Sequence, residues 1–150
     1  MTGGTTAKPM ITIPYFTTTT ATAPAAAAIP IQFTLTVTDA AGLTNETTVE
    51  VPVQADSVTV AAGARHRIGT ELRIDGTSLI GGVAGVRTPP TSVVIWNVTN
   101  PAAPVKLGTS AVDTLGAWSI RLKPGPSVQV TSVLIQSTRG GTATATVSTR

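Results

Sequence analysis

The chain has 150 residues, of which 41% are hydrophobic and 11% are charged, and its formal net charge is +3. This composition argues against disorder throughout, and the absence of cysteine excludes disulfide scaffolds, thiolate metal sites and cysteine nucleophiles. No apolar run is long enough for a membrane-spanning helix, and the Lys and Arg residues are mostly dispersed with few aromatic residues between them, so we expect neither membrane insertion nor nucleic-acid binding.

The first 30 residues are small, polar and of low complexity, and we predict an extended segment there. Residues 10–16 alternate over a length that suits one short strand. The Thr and Ala run over 17–28 contains Pro24, which argues against a helix in this segment.

Residues 31–53 have the pattern of two strands joined by a polar turn. In the first strand Phe33, Leu35 and Val37 share one side, and the residues between them are polar. The second strand repeats the alternation with three valines, Val49, Val51 and Val53. The period of two predicts one buried face and one solvent-exposed face, with Asp39 and Gly42 in the turn. We therefore predict a hairpin over 31–55 in which Phe33, Leu35 and Val37 are core residues.

From residue 57 to residue 150, short alternating segments are separated by turn-forming residues. The segments cover 58–60, 71–77, 92–98, 105–112, 117–122, 128–137 and 142–149, and a Gly- and Pro-rich loop covers 80–92. This spacing is typical of a β-sandwich, and no amphipathic helical pattern lies between the segments to suggest an α/β fold. We predict an all-β chain in which residues 57–150 form a complete antiparallel Ig-like sandwich.

The largest apolar side chains of this second region predict its core. They lie in two of the predicted strands: Trp96, Trp118, Ile120 and Leu122. Turns are predicted where an acidic residue or a glycine pair follows a strand, at Asp113, Gly116, Gly140 and Gly141.

Two stretches of the chain resemble known families of bacterial domains. The segment LTVTDAAG (35–42), followed by a VxV pattern, resembles the closing hairpin of a PKD-type or related bacterial Ig-like domain. The segments LRIDGT (72–77), LGT (107–109), VDTLGAWS (112–119) and STRGG (137–141) occur in that order and resemble a bacterial Ig-like module found near the C-termini of large secreted proteins. The resemblance implies a partial PKD- or Ig-like domain at 31–55 and a complete module at 57–150. It also implies an extracellular or bacterial cell-surface location, with the virion surface as the alternative.

His66 is the single histidine, and it lies between Arg65 and Arg67 in a segment that we predict to be an exposed loop. No second histidine and no cysteine is present to complete a metal site, and the sequence contains no Gly-x-Ser-x-Gly nucleophile motif. Neither of the two resembled families carries a catalytic motif of its own. We therefore predict no catalytic residue, no metal, no cofactor and no enzymatic activity.

Two binding functions stay open from the sequence. Asp39, Glu50 or Asp56 could take part in a calcium site at the domain junction, although calcium needs about 6–8 oxygen ligands and no acidic cluster is present. Exposed aromatic side chains could stack on a sugar, although the chain has only two Trp, two Phe and one Tyr.

A two-stranded hairpin leaves its apolar face bare, so something must cover Phe33, Leu35 and Val37. Strands upstream of this sequence, strands donated by another subunit, or residues 1–30 folding back would each do so. We expect a protein partner, a neighbouring domain or a second copy of the chain on this face.

The function predicted from these patterns is that of a non-catalytic structural or interaction module of an extracellular or surface protein, serving as a spacer, adhesion or assembly unit. One alternative is a self-assembling subunit of an exterior filament or phage-type decoration layer that exchanges its N-terminal strand. The other alternative is an accessory C-terminal domain of a secreted enzyme.

Overall fold

The computed structural model describes residues 20–24, 31–52, 54–80 and 91–150 of the chain. Within these ranges every regular element is a β-strand, so the all-β fold class predicted from the sequence is confirmed. No helix of the described residues is long and apolar enough to cross a membrane. The strands are β1 (Ile31–Thr38), β2 (Thr44–Val51), β3 (Ser57–Val60), β4 (Arg65–Arg67), β5 (Glu71–Leu79), β6 (Ser92–Asn97), β7 (Val105–Ala111), β8 (Ala117–Leu122), β9 (Ser132–Ser137), β10 (Thr142–Thr146) and β11 (Ser148–Thr149).

The described strands are arranged in three sheets. β1 and β2 form a hairpin, and a four-stranded sheet has the order β10-β9-β6-β7. The third sheet has the order β11-β4-β5-β3, with β8 also paired to β5. The pairs are antiparallel except for that between β11 and β4, which is parallel. β5 is thus the centre of its sheet, because Leu72 and Arg73 pair with β4 on one side and with β8 on the other.

The hydrophobic core lies between the four-stranded sheet and the sheet that contains β5. Leu72, Ile74 and Trp118 occupy alternate, inward positions of β5 and β8 and are buried. Four residues of β6 and β9 belong to the same cluster: Val93, Ile95, Val133 and Ile135. Full burial of one such aliphatic side chain is worth about 1.5–3 kcal/mol, so the stability of the sandwich comes from this layer.

The four residues predicted for this core are placed differently by the structure. Trp118 and Ile120 belong to the core cluster, and the half-buried Leu122 packs against it. Trp96 is fully buried but lies outside that cluster, because it alternates with the core residue Ile95 along β6 and so faces the other side of its sheet.

β4 lies in a segment that the sequence predicted to be a loop. Gly63, with a φ of 103°, separates β3 from β4, and Gly69, with a φ of 69°, lies in the turn to β5. His66, predicted to be exposed, is fully buried at the centre of β4. The pattern Arg-His-Arg does alternate, but three residues are too short a run to distinguish a strand from a loop.

The hairpin differs from its prediction in the burial of its apolar face. Leu35 is 61% exposed, Val37 is 57% exposed, and Phe33 is half-buried, so these residues do not form a core within the described part of the chain. The physical reason is that β1 and β2 make a sheet of two strands, with no further strand paired to it among the described residues. Val53 lies outside the described residues.

The remaining boundaries shift by a few residues. The last two predicted segments become β9, which begins at Ser132, and the separate strands β10 and β11. The predicted strand at 10–16 and most of the predicted loop at 80–92 lie outside the described residues.

Candidate functional site

The outward face of the sheet around β5 is built by the same alternation that builds the core. Since Leu72 and Ile74 point inward, Glu71 and Arg73 point outward. The strand register places Arg73 opposite Arg65 of β4 on one side and opposite Arg121 of β8 on the other. Neighbouring strands lie about 4.8 Å apart, so three arginines from three strands form one row across the sheet.

Six of the ten Lys and Arg residues of the chain lie on or beside this face. Arg150 lies next to β4 but one step beyond the row, because β11 pairs Ser148 with Arg65 and the backbone amide of Arg150 donates to the carbonyl of His66 at 3.0 Å. We call the following six residues the basic cluster: Arg65, Arg67, Arg73, Arg121, Lys123 and Arg150. Arg65 and Arg67 are close in the sequence and the other four are dispersed along it, and the pairing of strands distant in sequence brings all six together.

Two carboxylates offset part of this charge. Arg121 Nε donates to Glu71 Oε1 at 2.5 Å, Lys123 Nζ lies 3.8 Å from Glu71 Oε2, and Arg73 Nε donates to Asp75 Oδ2 at 3.0 Å. No ion pair formed within the described residues includes Arg65, Arg67 or Arg150. The cluster with its two acids therefore carries a formal charge of +4, from six cations and two carboxylates.

Glu71 is ionised in this environment. The hydrogen bond from Arg121 lowers the pKa of Glu71 below its ordinary value of 4.5, and the charges of Arg121, Lys123 and Arg65 act in the same direction. Burial acts against these contributions without overcoming them. The carboxylate is therefore a fixed negative charge among the cations at neutral pH.

His66 is buried beneath this surface, between Arg65 and Arg67 on β4. Its Nδ1 accepts the backbone N–H of Val130 at 3.2 Å, so the ring proton sits on Nε2, which lies 3.1 Å from the carbonyl oxygen of Pro126. Both ring nitrogens are thus used to attach β4 to the 126–130 segment. The role of His66 is to position Arg65 and Arg67, and it does not offer a free nitrogen to a ligand.

A cavity of about 260 Å³ opens among the side chains of this cluster. Arg65, Arg67 and Arg150 line it together with Glu71 and His66. Guanidinium groups present hydrogen-bond donors in a fixed fork that matches the paired oxygens of carboxylates, phosphates and sulfates. The cavity is therefore suited to an oxyanion.

An open groove of about 580 Å³ lies farther along β5, between this sheet and β7 of the four-stranded sheet. Apolar atoms make up most of its exposed surface, and six of its lining residues carry a hydroxyl or a carboxylate group: Thr59, Thr77, Ser110, Ser119, Asp75 and Asp113. Gly76 and Trp118 also line it, and a Cβ at Gly76 would overlap the edge of the Trp118 indole. Ser110 joins the two sides of the groove, since its Oγ donates to the carbonyl of Ser119 at 2.8 Å and accepts the Ser119 amide at 3.3 Å.

The residues predicted for turns lie in two copies of one hairpin turn and in a third turn. Asp39 Oδ1 accepts the amides of Ala41 and Leu43, and Asp113 Oδ1 accepts those of Leu115 and Ala117. Gly42 and Gly116 both have a φ of 84°, and Gly140 has a φ of 91°. Gly141 is different, because its need for glycine comes from close packing: a Cβ there would overlap the backbone and carboxylate of Asp56.

The acidic residues considered for calcium have other partners. Glu50 accepts a hydrogen bond from Gln32 at 2.6 Å on the hairpin, whereas Asp56 is buried and accepts hydrogen bonds from Ser78, Ser137 and the amide of Gly141. Among the residues that the structure describes, no three His, Asp or Glu side chains are grouped so as to hold a metal ion.

Comparison with known proteins finds similarity only at the level of solved structures. No protein-family model matches this chain, and no curated protein matches it. Similarity is found to superoxide reductase (neelaredoxin) from Ignicoccus hospitalis, with a TM-score of 0.39 and coverage of 64% of this chain. A variant of that protein gives a TM-score of 0.41 and covers 65% of this chain. Both are 11% identical to this chain, which covers 82% of each of them.

The function predicted from the sequence is contradicted by these neighbours, which are named as reductases and not as structural or interaction modules. The prediction of a non-catalytic spacer, adhesion or assembly module is therefore wrong as stated, and its alternatives are not retained. A likeness of this size assigns no role to any residue of this chain.

Proposed function

We propose that this protein binds an anionic ligand at the basic cluster. The observation that carries the proposal is the cavity lined by Arg65, Arg67 and Arg150, none of which belongs to the ion pairs of the described residues. Like charges held close together repel one another, and an oxyanion among them converts this repulsion into attraction. Glu71 offsets only part of this repulsion, because it lines the cavity but its carboxylate is bound by Arg121 and Lys123.

The lining of the cavity indicates how such a ligand would be recognised. Of the aromatic residues that the structure describes, Phe33, Trp96 and Trp118, none lines the cavity. Single-stranded nucleic acids are bound largely by stacking of their bases on aromatic rings. Recognition here would depend on oxyanion groups and charge, so we expect the affinity to fall as the salt concentration rises.

Binding of inorganic polyphosphate to the unaltered chain, measured by titration at low and at high salt, tests the proposal. The double substitution Arg65→Ser with Arg67→Ser removes two cations whose side chains are exposed, so the fold is expected to persist. A charge-assisted hydrogen bond is worth about 1.5 kcal/mol or more, so we expect binding to weaken by at least about tenfold. The thermal unfolding curve from Trp fluorescence reports whether the sandwich is intact.

Lys106 provides a matched control for the loss of one charge. It lies on β7 in the other sheet, so Lys106→Ser removes a cation without touching the cavity. We expect Arg65→Ser alone to weaken polyphosphate binding and Lys106→Ser to leave it close to that of the unaltered chain. Equal losses in the two variants, or no binding by the unaltered chain at low salt, would show that the cluster is not a binding site.

A further inference from the structure

The basic cluster and the groove lie along one strand. The outward residues of β5 are, in order, Glu71, Arg73, Asp75 and Thr77, and the first two lie among the basic cluster, whereas the last two line the groove. At about 3.4 Å per residue, Glu71 and Thr77 are roughly 20 Å apart. The basic cluster therefore continues along β5 into the groove. Together the two surfaces are about as long as a short polymer segment.

The groove differs from the cluster in what it can bind. Four hydroxyl groups line it, and they are hydrogen-bonded within the protein: Thr59 to Thr77, Ser110 to the backbone of Ser119, and Ser119 to Asp75. Each hydroxyl oxygen keeps a lone pair that can accept a further hydrogen bond from a ligand. The two carboxylates Asp75 and Asp113 add acceptors, and none of the described residues that line the groove is Lys or Arg. A sugar unit matches this lining through its hydroxyl groups, which can donate hydrogen bonds to Asp75 and Asp113, whereas the anionic groups of the same polymer would be bound by the arginines of the basic cluster.

We infer that the ligand of this face is an acidic polysaccharide. The anionic groups of the polysaccharide would bind the basic cluster, and its sugar hydroxyls would bind in the groove. The inference therefore rests on the proposed function. A linear polymer that carries both anionic groups and hydroxyls can contact the basic cluster and the groove at once. After the first contact forms, the second is intramolecular, which raises the overall affinity. The groove adds no affinity for a polyanion without hydroxyls, and the arginines add no affinity for a neutral polysaccharide.

The groove can be altered without disturbing the cluster. Thr59 and Thr77 face each other across β3 and β5, with 2.8 Å between their Oγ1 atoms, so the paired substitution Thr59→Val with Thr77→Val removes both hydroxyls and leaves neither without its partner. The hairpin supplies a matched control, because Thr34 and Thr48 form the same cross-strand hydroxyl pair at 3.2 Å. The variant Thr34→Val with Thr48→Val makes the same chemical change away from the groove.

The experiment compares the affinities of the full chain for polygalacturonate, inorganic polyphosphate and neutral dextran. We expect polygalacturonate to bind more tightly than dextran, and the Thr59/Thr77 variant to weaken polygalacturonate binding by about tenfold through the loss of two hydroxyl contacts. Polyphosphate binding should be the same in that variant as in the unaltered chain. The Thr34/Thr48 variant should bind both anionic polymers normally.

The outcomes separate this inference from the proposed function. If the Thr59/Thr77 variant binds polygalacturonate as tightly as the unaltered chain, the groove does not hold sugar and the assignment of a polysaccharide is overturned. Loss of polyphosphate binding in the Arg65/Arg67 variant would still support an anion site in that case. If neither anionic polymer binds the unaltered chain, both the inference and the proposed function fail.

Discussion

Asp56 is a buried carboxylate whose hydrogen bonds come from two serine hydroxyls and one backbone amide. It is 5% exposed, and its Oδ2 accepts from Ser78 and, at 2.6 Å, from Ser137, while its Oδ1 accepts from Gly141 N at 3.0 Å. These contacts join the residue just before β3 to β5, to β9 and to the turn after β9. One side chain thus fastens the start of the sandwich to its final hairpin.

Asp56→Ala should lower the free energy of unfolding by about 2–4 kcal/mol, because three buried donors lose their acceptor at once. Urea unfolding followed by Trp fluorescence measures the change, since Trp96 and Trp118 are both buried in the sandwich. Asp39→Ala is the comparison, because Asp39 caps an exposed turn of the hairpin and should cost far less. A loss below about 0.5 kcal/mol for Asp56→Ala would show that this network does not hold the sandwich together.

β5 is the element in which core and candidate site meet, and its pattern is legible in the sequence. Leu72 and Ile74 alternate with Glu71 and Arg73, which predicts an inward and an outward face from the residues alone. The neighbours of the outward face could not be predicted in the same way. That Arg65, Arg73 and Arg121 form one row depends on which strands pair and in which register, and neither is encoded within a single strand.

The ion pairs of Glu71, which link β5 to β8, make the stability of the fold depend on pH. Arg121 lowers the pKa of Glu71 in the folded state below the ordinary value of 4.5, so the ionised carboxylate stabilises the fold fully above that pH. As the pH falls through the lowered pKa, the carboxylate takes up a proton and this contribution is lost. We expect the stability difference between the unaltered chain and Glu71→Gln to be largest near neutral pH and to shrink below pH 4.5.

Unfolding free energies of the two proteins over a series of acidic pH values measure this difference. Arg73 and Asp75 lie on the same strand and form an ion pair that the substitution leaves in place, so Asp75→Asn provides a control for a general charge effect. A difference for Glu71→Gln that stays constant or grows on acidification would contradict the assignment.

At the scale of the whole molecule, charge and apolar surface are divided between the hairpin and the sandwich. Residues 31–52 contain the acids Asp39, Glu46 and Glu50 and no Lys or Arg, whereas the basic cluster belongs to the sandwich. The hairpin also holds several of the exposed large hydrophobic residues: Leu35, Val37, Leu43, Val49 and Val51. A protein partner, a neighbouring domain or a second copy of the chain on this face stays a prediction.

Leu35→Ser combined with Val37→Ser should change the stability of the sandwich by no more than about 0.5 kcal/mol, because both side chains are exposed. Ile74→Ala should cost about 2–5 kcal/mol, since Ile74 is fully buried between the two large sheets. Thermal unfolding monitored by Trp fluorescence compares the variants. A loss for the hairpin variant as large as that for Ile74→Ala would show that the hairpin face is packed against the sandwich in solution.

The sequence was most informative about the architecture and least informative about the site. Strands with a clear period of two, such as the one containing Trp118 and Ile120, were located nearly to the residue. The hairpin pattern of Phe33, Leu35 and Val37 was equally clear, but alternation reports only which side chains share a face and not whether a second layer covers them. The cavity of the basic cluster was missed because its arginines come from β4 and from the end of β11, which are far apart in the sequence.

The two walls of the groove belong to different sheets, and the hydroxyl of Ser110 bridges them at Ser119. Ser110 lies on β7 just before the turn in which Asp113 Oδ1 accepts the amides of Leu115 and Ala117, and that turn leads directly into β8. A substitution that removes the Ser110 hydroxyl would therefore act on both sheets at once, at the point where the chain passes from one to the other.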